Sequence, residues 1–254
     1  MTLRHQPPRT KALLLAAGLG TRLRPLTDSL PKCLVPIAGQ PLLAYWFDAL
    51  AQAGIHEVLI NTHHLPAQVR EFLADWNRRG FHAAEAFEPV LLGSAGTIAA
   101  HADWADDADD LLIVYTDNLS DIDLAAFMQS HRERGQAMTM LLFRAADPRA
   151  CGIAELDASG RVVAFEEKPA APKSDLANAG VYAVTAAAWR EIAAMQAFDI
   201  GFEVLPRFVG RMQGHAHASY HRDIGTLAAL DEAQRVAPQV FASRPPPPPQ
   251  GHPA

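Results

Sequence analysis

The chain has 254 residues, 49% of them hydrophobic and 20% charged, which is the balance of a soluble globular protein able to bury a sizeable core. Its formal net charge of −6 argues against nucleic acid and anionic membranes as partners, because both select basic surfaces. With two cysteines, no apolar signal segment and no apolar run near the roughly 20 residues of a membrane helix, we expect a cytoplasmic protein.

The first half of the chain alternates short apolar runs, typical of buried strands, with longer stretches of helical periodicity. In chain order, strands are predicted at 11–17, 56–61, 81–87, 111–117 and 137–143, and helices at 41–54, 66–80, 93–102 and 123–135. Such alternation indicates βαβ units and a mostly parallel sheet. Because these crossovers are right-handed, the carboxyl ends of the strands share one edge of the sheet, where ligands bind.

In the second half of the chain, strands and helices no longer alternate regularly. This half predicts two strands within 152–169, a strand at 178–184, a helix at 185–195 with Thr185 as its cap, an extended segment at 215–221 and a helix at 226–236. We predict a three-layer α/β/α, Rossmann-like fold that forms a single domain over residues 11–240. Residues 1–10 are expected to be a flexible N-terminus and the Pro-rich residues 241–254 a disordered tail.

The stretch GLGTRLRPLTDSLPK at 18–32 follows the first predicted strand. Glycines after a strand can present backbone N–H groups to phosphate, and Arg22, Arg24 and Lys32 add permanent positive charge. The dinucleotide fingerprint fails, because Leu23 stands where its third glycine is required, and no Gly-Lys-Ser/Thr of a Walker loop occurs. A glycine turn with solvated cations is the alternative interpretation of the G-x-G alone.

The longer stretch LLLAAGLGTRLRPLTDSLPKCLVPIAGQPLL closely resembles the N-terminal signature of the sugar-1-phosphate nucleotidyltransferases. The residues in register with that signature are Gly18, Gly20, Thr21, Arg22, Pro25, Leu26, Thr27, Pro31 and Lys32. Further segments that resemble the family follow in order at 91–98, 113–118, 151–156, 165–169, 178–182 and 222–226. The resemblance therefore spans residues 11 to 236.

The resemblance implies a nucleotidyltransferase fold, with a nucleotide half at about 11–120 and a sugar-phosphate half at about 121–240. The nucleotide-binding residues it implies are Ala16, Ala17, Gly18, Gly20, Thr21, Gly93, Ser94 and Ala95. Those implied for the sugar phosphate are Gly152, Glu167, Lys168 and Asn178. Arg22 and Lys32 are the implied catalytic residues, and Asp117 and Asp223 the implied ligands of a Mg²⁺ cofactor.

Each acidic and basic candidate also has an ordinary structural interpretation. Asp117 follows a buried strand, where it suits a hard cation, but with Asn118 it also suits a turn. Asp223 could instead cap the last helix, and Glu167 with Lys168 could form a surface pair.

Two positions depart from the family pattern. Thr116 stands where the family commonly has glycine before the metal aspartate, and Cys33 stands where proline is commoner. His215, His217 and His221 alternate as the side chains of an exposed strand would, and their spacing leaves a zinc site open.

The implied reaction joins an NTP and a sugar 1-phosphate into an NDP-sugar and pyrophosphate. We favour GTP with mannose 1-phosphate or a related sugar as substrates. UTP with an amino-sugar 1-phosphate, CTP with a small alcohol phosphate, and a non-catalytic nucleotide-sugar sensor stay open. The presence of all four charged site residues favours an enzyme over a sensor. No nucleic-acid or membrane partner is expected, and a homo-oligomer stays open.

Overall fold

The computed structural model describes residues 8–217 and 219–242. Its strands are β1 Thr10–Leu15, β2 Pro36–Ile37, β3 Gln40–Pro41, β4 Glu57–Thr62, β5 His82–Phe87, β6 Asp110–Tyr115, β7 Asn118–Ser120, β8 Met138–Arg144, β9 Gly152–Leu156, β10 Val162–Glu167, β11 Leu176–Thr185, β12 Met212–Ala216 and β13 His221–Asp223. Its helices are α1 Leu26–Ser29, α2 Leu42–Gln52, α3 Pro66–Arg78, α4 Ser94–Ala100, α5 Leu124–Arg134, α6 Ala186–Ala194, α7 Leu205–Phe208 and α8 Leu227–Val240. Every predicted strand and helix has a counterpart among them, except that the predicted extended segment at 215–221 is divided between the end of β12 and the start of β13.

A nine-stranded sheet forms the centre of the molecule. Its main path runs β10-β9-β11-β6-β1-β4-β5, with β8 paired to β11 and β12 paired to β8. Strands β1, β4, β5, β6, β8, β9 and β12 point in one direction, and only β10 and β11 oppose them. The predicted mostly parallel sheet is thereby confirmed, with β11 as the antiparallel strand that joins the two halves.

Helices cover both faces of the sheet, as the alternating burial of β1 demonstrates. Ala12 and Leu14 pack into a core shared with α2, α3 and α5. Leu13 and Leu15 point to the opposite face, into a core shared with α4, α6 and α7. Because successive strand side chains point to opposite faces, a strand buried on both sides must be continuously apolar. The predicted three-layer fold is confirmed.

Side-chain caps define several helix starts. The hydroxyl of Thr185 accepts the N–H of Ala188 at the start of α6, which confirms the predicted cap. Thr226 caps α8 in the same way through Ala229. Asp223 is therefore not the cap of the last helix, and this alternative for it is wrong.

The termini of the described part are more ordered than predicted. Arg9 donates to Glu57 at 2.7 Å, and β1 already begins at Thr10. Phe241 packs on the ring of Tyr45, with centroids 4.8 Å apart, so it belongs to the fold rather than to the predicted tail. Residues 1–7 and 243–254, which hold the rest of the predicted flexible ends, lie outside the described residues. Over the two described ranges, no helix has both the length and the apolarity to cross a bilayer.

Candidate active site

Two adjoining clefts open at the carboxyl edge of the parallel strands. The first has a volume of about 420 Å³ and contacts the segments that follow β1, β4, β5 and β6. The second has a volume of about 280 Å³ and lies over β9, β10 and β11. Tyr115 and Asp117 line both clefts. The site is therefore divided into two compartments that meet at the end of β6.

Of the sequence-predicted residues, ten line the first cleft and six line the second, with one shared. The first holds Ala16, Ala17, Gly18, Gly20, Thr21, Arg22, Lys32, Gly93, Ser94 and Asp117. The second holds Asp117, Gly152, Glu167, Lys168, Asn178 and Asp223. Apart from Ala95, the residues predicted for the nucleotide therefore line one cleft and those predicted for the sugar phosphate line the other, and their binding roles stay predictions.

The loop after β1 is held open towards the first cleft. Gly20 has φ +63°, and a Cβ placed on it would lie 2.9 Å from Cγ2 of Thr27. The hydroxyl of Thr27 donates to the Gly20 carbonyl at 2.8 Å. Both the left-handed backbone and the close approach of Thr27 therefore require glycine at this position.

The backbone N–H groups of this loop divide into two sets. Those of Ala16 and Ala17 donate to Oδ1 of Asn61 at 2.6 and 3.2 Å, so they are not free for a nucleotide. Those of Gly18, Gly20 and Thr21 pair with no acceptor in the described parts of the chain. An anion bound here would therefore meet the second set.

Four side chains at the junction of the clefts form a charged cluster. Lys32 is only 9% exposed, and its ammonium lies 2.8 Å from Oδ2 of Asp117 and 3.8 Å from Oδ1 of Asp223. Arg22 lies 4.0 Å from Asp223 on the other side. Burial, followed by the neighbouring Asp117, raises the pKa of Asp223, and Lys32 and Arg22 oppose that rise. The predicted catalytic and metal residues are thus neighbours in space.

The pairing of β7 with β13 creates this cluster. Asp223 lies opposite Asn118 across the two strands, and the N–H of Ile224 donates to the carbonyl of Asp117 at 2.8 Å. At the end of β6, the Thr116 hydroxyl donates to the carbonyl of Leu15 at 2.9 Å. The threonine that departs from the family pattern therefore anchors the backbone next to Asp117.

The two carboxylates of Asp117 and Asp223 suit Mg²⁺ better than a metal that requires three or more protein ligands. Across residues 8–217 and 219–242, no group of three or more His, Cys, Asp or Glu side chains could hold an ion by itself. Mg²⁺ normally takes only one or two protein carboxylates and completes its shell with water and substrate phosphates. Asp117 and Asp223 are two such carboxylates, and both line the second cleft.

The second cleft combines hydrogen-bonding and charged groups. Asn178 donates to the Tyr182 hydroxyl at 2.7 Å and accepts the N–H of Gly180 at 3.0 Å, so its amide is fixed. A Cβ at Gly152 would lie 2.4 Å from Oε2 of Glu167. Burial raises the pKa of Glu167, an effect that the charge of Lys168 opposes. The close packing at Gly152 leaves room for a ligand but not for a larger residue.

Lys168 has an unusual backbone. Its backbone adopts φ +51°, a value that residues other than glycine rarely adopt. Its N–H donates to the carbonyl of Cys151 at 3.0 Å. Its side chain is exposed and forms no ion pair with Glu167 among the described residues. The geometry directs Lys168 into the second cleft and does not support the surface-pair interpretation.

Two interpretations from the sequence need correction, and the first concerns Ala95. Ala95 is 1% exposed, packs in the core with Ile98 and lines neither cleft. Its N–H donates to the carbonyl of Phe198 at 3.0 Å, so no group of Ala95 is free to bind a nucleotide. Helical geometry turns it inwards immediately after Ser94.

The second correction concerns the histidines, which do not alternate along one exposed strand. His215 lies in β12 and His221 in β13, and all three are partly buried. His217 lies 2.7 Å from Asp121. His221 packs on the ring of Phe143 with centroids 4.7 Å apart, and burial lowers its pKa to about 3, so it is neutral at pH 7.

A buried polar network behind the first cleft was not predicted. Glu88, 2% exposed, accepts hydrogen bonds from Asn61 at 3.0 Å, from Thr97 at 2.5 Å and from the N–H of Leu92 at 3.0 Å. Asn61 in turn holds the backbone of Ala16. The signal in the sequence was a polar residue at the end of a strand, with Asn61 near the carboxyl end of β4 and Glu88 directly after β5. The phosphate loop and the 91–98 loop are thereby joined.

Comparison with known proteins agrees with this geometry. The family model described as nucleotidyl transferase matches residues 11–239. A mannose-1-phosphate guanylyltransferase of Mycobacterium tuberculosis is 36% identical over 219 residues, which cover 85% of this chain and 61% of that protein. A glucose-1-phosphate thymidylyltransferase of Streptomyces antibioticus is 38% identical over 235 residues, covering 89% of this chain and 65% of that protein.

A third relative and a solved structure extend the comparison. A UTP–glucose-1-phosphate uridylyltransferase of Synechocystis is 30% identical over 213 residues, covering 78% of this chain and 55% of that protein. The chain thus spans between 55% and 65% of the length of these three relatives. A Bacillus anthracis protein assigned to the glucose-1-phosphate thymidylyltransferases, solved with sucrose, superposes with a TM-score of 0.80 at 22% identity, covering 90% of this chain and 95% of that one. This likeness shows the fold.

Proposed function

The chain belongs to the nucleotidyl transferase family, and from that premise we propose that it couples an NTP to a sugar 1-phosphate. The products are an NDP-sugar and pyrophosphate. The observation that carries the proposal is the cluster of Lys32, Asp117 and Asp223 at the junction of two clefts. A nucleotide in the first cleft and a sugar phosphate in the second would bring their phosphates together at this point.

The chemistry requires no general base, because a phosphate oxyanion is already a nucleophile at neutral pH. An oxygen of the sugar phosphate forms a bond to the α-phosphorus of the NTP. The bond from that phosphorus to the bridging oxygen breaks, and pyrophosphate leaves with the electron pair. The protein's part is to align the two phosphates and neutralise their charge.

Each charged residue has a place in this scheme. Arg22 directly follows Thr21, whose N–H has no acceptor among the described residues. It would stabilise the β- and γ-phosphates and the leaving pyrophosphate. Lys32 would meet the α-phosphate, where charge develops. Lys168 would hold the phosphate of the sugar. Asp117 and Asp223 would hold Mg²⁺, which supplies charge neutralisation to the phosphate oxygens when bound.

GTP and mannose 1-phosphate remain our favoured substrates, and the relative named as a guanylyltransferase supports that choice. Relatives named for UTP and thymidylyl transfer match the chain comparably. Both cysteines are free, which supports a reducing, cytoplasmic compartment.

A pyrophosphate-release assay tests the proposal. The protein is incubated with Mg²⁺ and each of GTP, UTP, CTP, ATP and dTTP, paired with mannose 1-phosphate, glucose 1-phosphate and N-acetylglucosamine 1-phosphate. We expect release that requires both partners and is fastest with GTP and mannose 1-phosphate. Faster release with UTP and the amino sugar would overturn the substrate choice. Binding of nucleotides without release from any pair would reject transfer and support the sensor.

A further inference from the structure

A short segment between α6 and α7 separates the two clefts. Residues 198–204 include a π-helical turn at Ile200–Val204. Phe198 lines the first cleft, whereas Phe202 lines the second. Residue Phe198 is 58% exposed and residue Phe202 is 60% exposed. Four residues apart, the two rings therefore serve different cavities.

The backbone of this segment is firmly held although its rings are exposed. Oε1 of Glu203 accepts the N–H groups of Phe198 and Asp199, both at 2.9 Å. Oδ1 of Asp199 accepts the N–H of Phe202 at 2.9 Å. The hydroxyl of Ser94 accepts the N–H of Ile200 at 2.8 Å. The exposure of the rings is therefore a feature of an ordered structure.

The ring of Phe198 lies directly over the loop that enters α4. A Cβ placed on Gly93 would lie 2.8 Å from Cγ and Cδ2 of Phe198 and 2.3 Å from its carbonyl oxygen. Leu91, 36% exposed, lines the same cleft. Leu91 and Phe198 thus give an apolar wall to the cleft that the loop at Gly18 also lines. An aromatic base has the flat apolar face that such a wall accepts.

Phe202 lies among different functional groups from those around Phe198. Its cleft contains the carboxylates of Asp199 and Glu167 and the amide of Asn178. Carboxylates and amides bind hydroxyl groups, and an aromatic ring packs against the C–H face of a pyranose. The combination suits a sugar.

We propose that Phe198 contacts the nucleotide base and Phe202 contacts the sugar, so that one rigid segment recognises both substrates. The identity of the two ligands rests on the proposed function. The assignment of one ring to each ligand rests on the position of Phe198 in the first cleft and of Phe202 in the second. Since Ser94 and Ala95 bind this segment directly, the 91–98 loop and the segment form one recognition surface.

Two single variants, Phe198→Ala and Phe202→Ala, test the proposal in the full chain by isothermal titration. The probes are GTP, UTP and dTTP for the first cleft, and mannose 1-phosphate and glucose 1-phosphate for the second. We expect Phe198→Ala to weaken the tightest nucleotide about tenfold, the size of a lost base contact, and to leave the tightest sugar phosphate within about twofold. Phe202→Ala is expected to do the reverse.

Val163→Ala provides the matched control, because Val163 is 49% exposed and lines neither cleft. It should change neither affinity. Unchanged affinities in both phenylalanine variants would overturn the proposal, as would equal weakening of both ligands by each variant, which would indicate a merely structural segment. A wild-type protein that binds both ligands but releases no pyrophosphate would reject the proposed reaction while leaving the two rings testable. Wild-type protein that binds no nucleotide would reject both.

Discussion

The ammonium of Lys32 lies 2.8 Å from the carboxylate of Asp117, at the boundary between the two clefts. Lys32 is buried, whereas 40% of the Asp117 side chain is exposed. Asp117 therefore holds the ammonium of Lys32 at the point where two anionic substrates would meet.

Asp117→Asn should remove most of the turnover, by about a hundredfold or more, because it removes charge from the transfer point. The fold should survive, since the side chain is partly exposed. Steady-state pyrophosphate release and thermal unfolding measure the two effects. Asp175→Asn is the matched control: it breaks an exposed pair with Arg144 at 2.6 Å and should leave turnover unchanged. Near-normal turnover of Asp117→Asn at saturating Mg²⁺ would contradict the metal assignment.

Asp223→Asn should stabilise the protein at neutral pH. Burial raises the folded-state pKa of Asp223. The contribution of this carboxyl to the free energy of unfolding is therefore present below the unfolded pKa of about 3.9, and it is lost as the pH rises through the folded pKa. The amide of the variant does not ionise, so the variant does not lose this stability at neutral pH. The gain at pH 7 should stay below about 1 kcal/mol, because solvent screens a side chain that is 56% exposed.

Urea unfolding at pH 7 and near pH 3.5 measures this difference. The stabilisation of Asp223→Asn should shrink towards zero at the lower pH, where the aspartic acid is itself largely neutral. A variant less stable than wild type at pH 7 would show that the attraction of Lys32 and Arg22 outweighs burial.

Asn61→Ala should damage both stability and nucleotide binding. It leaves the N–H groups of Ala16 and Ala17 without their acceptor and removes one donor to Glu88. Unpaired buried groups cost about 1–3 kcal/mol each, so we expect a loss of unfolding free energy of about that size. The KM for the NTP should rise, since the phosphate loop loses its anchor, while the KM for the sugar phosphate should change little.

Asn77→Ala is the control for this prediction. Asn77 also binds backbone on both sides of its amide, to the N–H and carbonyl of Ala83 at 2.7 and 3.0 Å, but it lines neither cleft. It should lower stability without changing either KM. Equal KM values for Asn61→Ala and wild type would mean that the network has no part in nucleotide binding.

Gly93→Ala should be severely destabilising. Gly93 has φ +78°, and the new Cβ would lie 2.3 Å from the carbonyl oxygen of Phe198. Gly80→Ala separates the two causes, since Gly80 has φ +94° and a Cβ added there would meet nothing within 4 Å. We expect about 1 kcal/mol for Gly80→Ala, from backbone strain alone, and at least about 3 kcal/mol for Gly93→Ala. Similar melting temperatures for the two variants would exclude the clash with Phe198.

Much of the fold follows from local pattern. Continuous apolar runs such as β1 predict strands buried on both faces, and the alternation with helices predicts the three layers, because burial of apolar surface depends on periodicities that are visible along the chain. The charged candidates could be found for a related reason. Arg22 and Lys32 lie in the segment that follows β1, and Asp117 lies just beyond the end of β6, so all three follow strands whose carboxyl ends share one edge.

The sequence by itself thus determined the fold class, the family resemblance and most of the residues that line the clefts. The tertiary structure alone decided the relationships between distant segments. It brought Asp223 to Asp117 through β13, and it paired the backbone N–H groups of Ala16 and Ala17 with Asn61. It also turned Ala95 inwards and placed Phe198 and Phe202 in different clefts. The physical reason is that a hydrogen bond or a ring's exposure depends on register and side-chain direction across long separations, which local periodicity does not encode.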